Sequence, residues 1–245
     1  MLIINADDLG MDAVTTDRIL NCFINGRITS STAMMFMEDT ERSSELARLN
    51  NLPIGLHLNF TKPFTTKYIN SRLKDYHNTL VAYFTKSKYS RIIYNPKIQY
   101  QVEYCFKSQL TEFERLYGKS PTHIDGHHHI HLCSNLIFSK IIPSGIKIRK
   151  NFSFSKKERN FINRGYRGLI DRIIKTRFLS TDFFYALNSH VNEPDILEKL
   201  SRASNSCVEF MVHPGTYEEY TFIMDMGNMY ERIIQGVDRG SYESL

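Results

Sequence analysis

The chain has 245 residues, 42% of them hydrophobic and 12% aromatic, with a net charge of +5. That size suits one undivided domain over 1–245, because α/β barrels commonly reach it. Four cysteines (Cys22, Cys105, Cys133 and Cys207) lie far apart with no CxxC, which excludes a disulfide scaffold and reads as reduced core thiols of a cytoplasmic protein. The start "MLIINADDLG" has no basic n-region, and no apolar run approaches the roughly 20 residues that span a bilayer, so neither a secretory signal nor a membrane partner is expected.

Taken in chain order, short apolar runs alternate with helical patterns. "LIINAD" (2–7) reads as a parallel strand covered on both faces. A helix over 11–26 follows, with Ile19, Cys22 and Phe23 on one face and Gly26 as its stop. A strand over 29–37 leads to a helix over 39–50, capped by Asp39 or Thr40, and to a strand over 52–60. The stretch 61–95 is irregular, polar and aromatic, and is expected to be a lid or binding loop. The clearest helix runs over 96–118, opened by Pro96 and ended by Gly118, with Val102, Phe106, Phe113 and Leu116 as its stripe.

Further along, strands are expected over 121–125, 145–150, 180–187 and 206–215, and helices over 134–142, 166–176, 193–203 and 228–236. About seven strand–helix units imply a parallel sheet, either closed as a barrel or open and doubly wound. A barrel is preferred, because chemistry-bearing residues fall at the C-terminal ends of several strands, where barrels collect their active sites.

Those residues come in four groups. Asp7 and Asp8 follow an apolar strand directly; either they are a surface acid and a turn cap, or they share a site where a cation relieves their repulsion. His57, in "GLHLN", is either a satisfied core histidine or a ligand. The stretch "THIDGHHHIH" (122–131) holds five of the nine histidines. If it stays extended, His123, Asp125, His127, His129 and His131 share one face; if it turns helical after Gly126, His127 and His131 pair at i,i+4. Both geometries offer imidazoles to a divalent transition ion such as zinc. His213, in "EFMVHPG", is either a turn histidine or a general acid on the same rim.

An aspartate and two histidines from three strand ends would leave a coordination position open, the mark of a catalytic metal site. Such an ion lowers the pKa of water and polarises a carbonyl. With a spare carboxylate to accept a proton and a spare imidazolium to give one, the parts fit metal-assisted hydrolysis of an amide.

"NADDLG", "NGRITSSTAM", "GLHLNFTKPF", "GKSPTHIDGHHHIH" and "EFMVHPG" resemble, in order, the motifs of the YdjC/ChbG family of carbohydrate deacetylases. The tail "GSYESL" is also similar. The resemblance implies a cytoplasmic, barrel-like enzyme that removes acetyl groups from N-acetylated sugars, chitooligosaccharides such as diacetylchitobiose. It assigns Asp8, His57 and His127 to one divalent metal ion, Asp7 as base and His213 as acid. Asp125, His129 and His131, from the same histidine-rich stretch, are expected as supporting residues. The resemblance implies magnesium, where the N,N,O donor set alone suggests zinc. It is compatible with a homodimer, and because no nucleic-acid motif accompanies the basic segment 147–177, no nucleic-acid partner is expected. Gly126 stands where the family often has serine. Another metal-dependent hydrolase, such as a phosphoesterase, and a non-catalytic sugar- or metal-binding relative remain alternatives. The basic segment 147–177 is either a solvated insertion or an anion site for a 6-phosphorylated sugar.

Overall fold

The computed structural model describes residues 1–153, 161–186, 198–199, 201–225 and 237–245. In chain order the elements are β1 (Leu2–Leu9), α1 (Ala13–Ile24), β2 (Ser30–Ala33), α2 (Thr40–Leu49), β3 (Ile54–Leu58), α3 (Ser71–Lys86), α4 (Gln99–Tyr117), β4 (Ile124–Gly126), α5 (Ser134–Ile137), α6 (Phe161–Arg177), β5 (Phe183–Ala186), β6 (Val208–Val212) and α7 (Tyr217–Met224). The six strands form one parallel sheet in the order β4-β3-β2-β1-β6-β5.

The sheet curls, and the segment that reads as a strand over 145–150 crosses between its two edges. Ile148 bridges to Ile124 of β4, and Lys147 bridges to Leu179 just ahead of β5. Only isolated bridges form there, so the expected barrel is a curled six-stranded sheet whose edges are tied by one ragged segment. No helix among the described residues is long and apolar enough to cross a membrane.

Side-chain alternation separates two environments. Leu2, Ile4 and Ala6 of β1 join Leu56, Leu58, Ile124, Val208, Phe210 and Val212 in the hydrophobic core under the helices. The intervening positions, Asn5, Asp7, Ser30, Thr32, His57, Asp125 and Glu209, are equally buried but polar. Buried polar groups are tolerated only where they find partners, and on the concave face they find one another.

Helix ends follow their local chemistry. Asp12 caps α1 by accepting from Thr15 N at 2.8 Å, and Gly26 ends the turn at φ +64°. Gly118 ends α4 in the left-handed region at φ +66°. Asp39 precedes α2 without capping it, because Arg42 takes both its carboxylate oxygens at 2.8 and 2.9 Å.

Two expectations are corrected, and two others cannot be compared. The stretch 61–95 contains the 16-residue helix α3, which buries Leu73, His77, Leu80 and Phe84 at helical spacing and is started by Asn70. Its stripe is interrupted by a histidine, which is why it reads as irregular. His77 donates to Asn59 O at 3.0 Å, and Phe64 stacks on its ring. The expected helix over 134–142 shrinks to α5, four residues. The expected helices over 193–203 and 228–236 lie largely or wholly outside the described residues.

Candidate active site

The site begins with a break in β1. Asn5 and Ala6 pair with Ser30 and Ser31, but Leu9 pairs with Ala33, so β1 carries one residue more than its partner. Such a bulge re-aims side chains. Asp8 sits at the bulge with φ +73°. Adjacent strand residues normally point to opposite faces; here Asp7 and Asp8 reach the same site. The strand does this within its own length, not by ending as the sequence suggested.

Two imidazole nitrogens converge on the Asp8 carboxylate. Its Oδ1 lies 3.1 Å from His57 Nε2 and 2.9 Å from His127 Nδ1. Asp8, His57 and His127 therefore form a group able to hold one cation. His57 comes from β3, and His127 from the 3-10 turn that follows β4 directly. A second possible group, Asp7, His57 and Asp125, is also present. Its two carboxylates are already tied to Arg149, so the first group fits a cation better.

Behind this group His57 and Asp125 stand in register on neighbouring strands, Nδ1 to Oδ1 at 2.8 Å. That contact leaves Nε2 for the ion. Thr32 Oγ1 donates to Asp125 Oδ2 at 3.0 Å, and Asn5 Nδ2 donates to Asp7 Oδ1 at 3.0 Å.

Arg149, on the strand expected over 145–150 and within the basic run, had no expected role in the site. It is fully buried. Nη1 and Nη2 grip Asp7 at 2.6 and 2.7 Å, Nη1 lies 2.6 Å from Asp125, and Nε donates to Glu209 at 2.8 Å. Its signal in the sequence was a lone arginine at a strand-like position in "GIKIRK"; that of Glu209 was a lone acid inside "CVEFMV". Other described cations of the basic segment go elsewhere. Lys147 holds the carbonyl of Tyr242, Lys150 that of Asp182, and Arg167 the side chain of Asn151.

Electrostatics sort the groups. Burial alone would raise Asp7, but the Arg149 guanidinium outweighs it and holds the carboxylate well below its usual range. Asp8 is likewise depressed, by His127 and His57 against burial. Burial opposes a charged His213, but Glu219 and Asp7 outweigh it and raise the imidazole above its ordinary value. Three buried carboxylates, Asp7, Asp125 and Glu209, surround the one guanidinium of Arg149, and the buried Asp8 carboxylate adds a fourth to the site. That negative excess, with an N,N,O donor set, fits a divalent cation.

His213 follows β6. Its Nε2 lies 3.9 Å from Asp7 Oδ2, and Glu219 accepts from its backbone N at 2.6 Å. Glu219 was not anticipated. The histidine run splits rather than lining one face. The strand stops at Gly126, and His128 and His129 take left-handed φ of 54° and 56°. His128 meets Thr61 Oγ1 at 3.1 Å. His129 packs against Phe152 and Phe184, and burial pushes it down to about 3. His131 donates to the carbonyl of Arg149 at 3.2 Å and does not pair with His127. His123 lies one layer deeper, stacked on Tyr242. Of the expected supporting residues, Asp125 touches a ligand candidate, while His129 and His131 serve the wall and the backbone of Arg149.

A curled parallel α/β sheet with carboxylates and imidazoles gathered at the C-terminal ends of its strands defines a barrel-like class with a cation-competent site. The sequence profile of the YdjC-like protein family matches residues 1–239, and the chain belongs to that family. Chitooligosaccharide deacetylases of Yersinia pestis (strain Pestoides F) and Yersinia pseudotuberculosis (serotype O:1b, strain IP 31758) are 28% identical over 243 residues, covering 96% of this chain and 88% of theirs. The fold also resembles a solved structure from Enterococcus faecalis V583 described as a cellobiose-phosphate cleavage protein. Its TM-score is 0.64 and its identity 20%, with 99% of this chain and 97% of that chain covered.

Proposed function

We propose that the protein is a metal-dependent hydrolase that removes acetyl groups from N-acetylated sugars of the chitooligosaccharide class. The observation that carries this reading is the convergence of Asp8, His57 and His127 on one point, with the Asp7 carboxylate and the His213 imidazole 3.9 Å apart close by. Asp8, His57 and His127 would hold the divalent ion, magnesium by family resemblance or zinc by donor set. The ion would supply polarisation of the acetyl carbonyl and acidification of water. The Yersinia relatives, named for the same activity, support the substrate class.

Asp7 accepts the proton of the attacking water. Arg149 keeps it ionised and fixes its two oxygens, so it is an acceptor whatever the neutral pH. His213 donates to the departing amine, since Glu219 and Asp7 favour its protonated form. Two titrating groups driven to opposite charge states are the signature of an acid–base pair. Each transfer is worth roughly 10²–10⁴ in rate.

A sugar phosphate has a candidate seat next to this centre. A cavity of about 200 Å³ is lined by Arg91, His128, Asn151, Tyr166 and Arg167. Arg91 Nε is buried without a hydrogen-bond partner among the described residues. Arg91 Nη1 reaches the carbonyl of His128, the neighbour of His127. On this reading the useful part of the basic segment is Arg167.

The test is acetate release from diacetylchitobiose and its 6-phosphate, with elemental analysis of the purified protein. Acetate should appear, cease with a chelator and return with a divalent ion. Release of phosphate from phosphoesters without acetate would favour a phosphoesterase, and binding of sugar without product a non-catalytic relative.

A further inference from the structure

We infer that Tyr242, close to the C-terminal end of the chain, is a positioning residue for Asp7, acting through Glu209 and Arg149. This rests on the reading of Asp7 as the proton acceptor.

The concave face has a second polar layer beneath the site. Glu209 Oε1 accepts from Arg149 Nε at 2.8 Å, and Glu209 Oε2 accepts from the Tyr242 hydroxyl at 2.5 Å. Arg149, Glu209, Tyr242 and His123 are all fully buried. The Tyr242 ring stacks on His123, with centroids 3.6 Å apart and planes 9° apart, and its carbonyl accepts from Lys147 Nζ at 2.6 Å. The tail is therefore seated by ring and backbone alike, and the hydroxyl is free to serve Glu209.

A guanidinium is a rigid fork with five donors. Once Nε is tied to Glu209, the plane of the group is fixed, and Nη1 and Nη2 can only point at Asp7 and Asp125. The tie depends on Glu209 staying charged among three carboxylates that share one cation. Burial pushes Glu209 up to about 7, with Arg149 and the Tyr242 hydroxyl pulling the other way. Removing the hydroxyl leaves a buried carboxylate oxygen without its donor, which favours protonation and slackens the grip on Nε. A tyrosine needed only for packing could be replaced by phenylalanine without this consequence.

The experiment uses the full chain loaded with its divalent ion and follows acetate release, metal content and Tm for Tyr242→Phe, Glu209→Gln, the double variant and Ser241→Ala. Tyr242→Phe should lower kcat about tenfold, the scale of one hydrogen bond to a charged group, with KM and metal content unchanged. The double variant should be no slower than Glu209→Gln, because both act through Arg149. Ser241 precedes Tyr242 and caps its turn: its Oγ accepts from Glu243 N at 3.1 Å, and none of the relay's side-chain hydrogen bonds named above runs through it. Ser241→Ala should cost stability while leaving kcat at the wild-type value. A wild-type kcat in Tyr242→Phe, a loss matched by Ser241→Ala at equal Tm, or additive effects in the double variant would overturn the inference. Asp7→Asn separates the two levels: if it turns over normally with metal bound, the functional reading fails; if it is inactive while Tyr242→Phe is unimpaired, only the relay fails.

Discussion

His57 and Asp125 occupy the same register position on adjacent parallel strands, and their side chains meet Nδ1 to Oδ1 at 2.8 Å. The carboxylate fixes the imidazole plane and commits the opposite nitrogen, Nε2, to the point shared with Asp8 and His127. Asp125→Asn keeps the shape and removes the charge. It should weaken divalent-ion binding about 10–100-fold, the usual cost of losing a carboxylate behind a ligating histidine. Calorimetric titration of the ion into the metal-free chain reads this directly. An unchanged affinity would mean that His57 is not a ligand.

Metal binding should also compete with protons. Burial disfavours a charged His57, but Asp125, Asp8 and Asp7 outweigh it and raise its pKa well above the ordinary value in the ion-free chain. A ligating imidazole must be deprotonated, so affinity should climb with pH and each ion bound should release protons. The raised pKa sets the sign: the proton that competes with the ion is held more tightly than on a free imidazole, and it leaves as pH rises. Titrations in buffers of different ionisation enthalpy count the protons, and a pH-independent affinity would remove His57 from the set.

The two carboxylates of "NADDLG" should separate cleanly in function. Asp7→Asn should lower kcat by about 10²–10⁴ with the ion still bound, as expected for loss of a proton acceptor. His127→Ala should lose both ion and turnover, because His127 Nδ1 is one of the three converging donors. Elemental analysis beside acetate-release kinetics distinguishes these outcomes. A His127→Ala variant with full metal content would show that the ion, if any, sits in the alternative group around Asp7 and Asp125.

What the sequence revealed follows from locality. Asp7, Asp8, His57, His127 and His213 stand out because each is a polar group within or next to a short apolar run, and that contrast is legible from short-range pattern. Arg149, Glu209 and Tyr242 are not, because their meaning lies in contacts between β1, the 145–150 segment, β6 and the tail. A buried arginine inside a basic stretch looks like any other surface charge until three carboxylates are seen around it. The bulge at Asp8 and the left-handed turns at His128 and His129 were hidden for a related reason: neither residue type demands such φ values, and the surrounding packing imposes them. Helix α3 was missed where its buried stripe runs through a histidine whose partner, Asn59 O, lies outside the helix.

The pH profile should carry the signature of His213. Its pKa is raised in the folded chain, with burial working against the charge and Glu219 and Asp7 prevailing. The protonated form is the donor, so kcat is full below this raised pKa and falls as pH rises through it. Glu219→Gln removes the leading support, leaves burial in control and should move the high-pH limb downward. An unshifted limb in Glu219→Gln would assign the acid to another group.

Gly55 should be intolerant of even a methyl group. A Cβ built there would lie 2.6 Å from the Cε1 and Nδ1 atoms of His123 and 2.8 Å from its backbone oxygen. The ring cannot swing aside freely, since it is stacked on Tyr242, and the backbone oxygen accepts from Leu56 N at 2.9 Å within the β3–β4 ladder. Gly55→Ala should therefore cost about 1–3 kcal/mol, the range for overpacking a filled interior. Because the displaced ring supports Tyr242, which serves Glu209 and through it Arg149, the variant should also turn over more slowly than its stability loss explains. Chemical denaturation gives the first quantity, and kcat per bound ion gives the second. Wild-type stability in Gly55→Ala would mean that the strands can part to admit the methyl group and that His123 is not wedged between β3 and the tail.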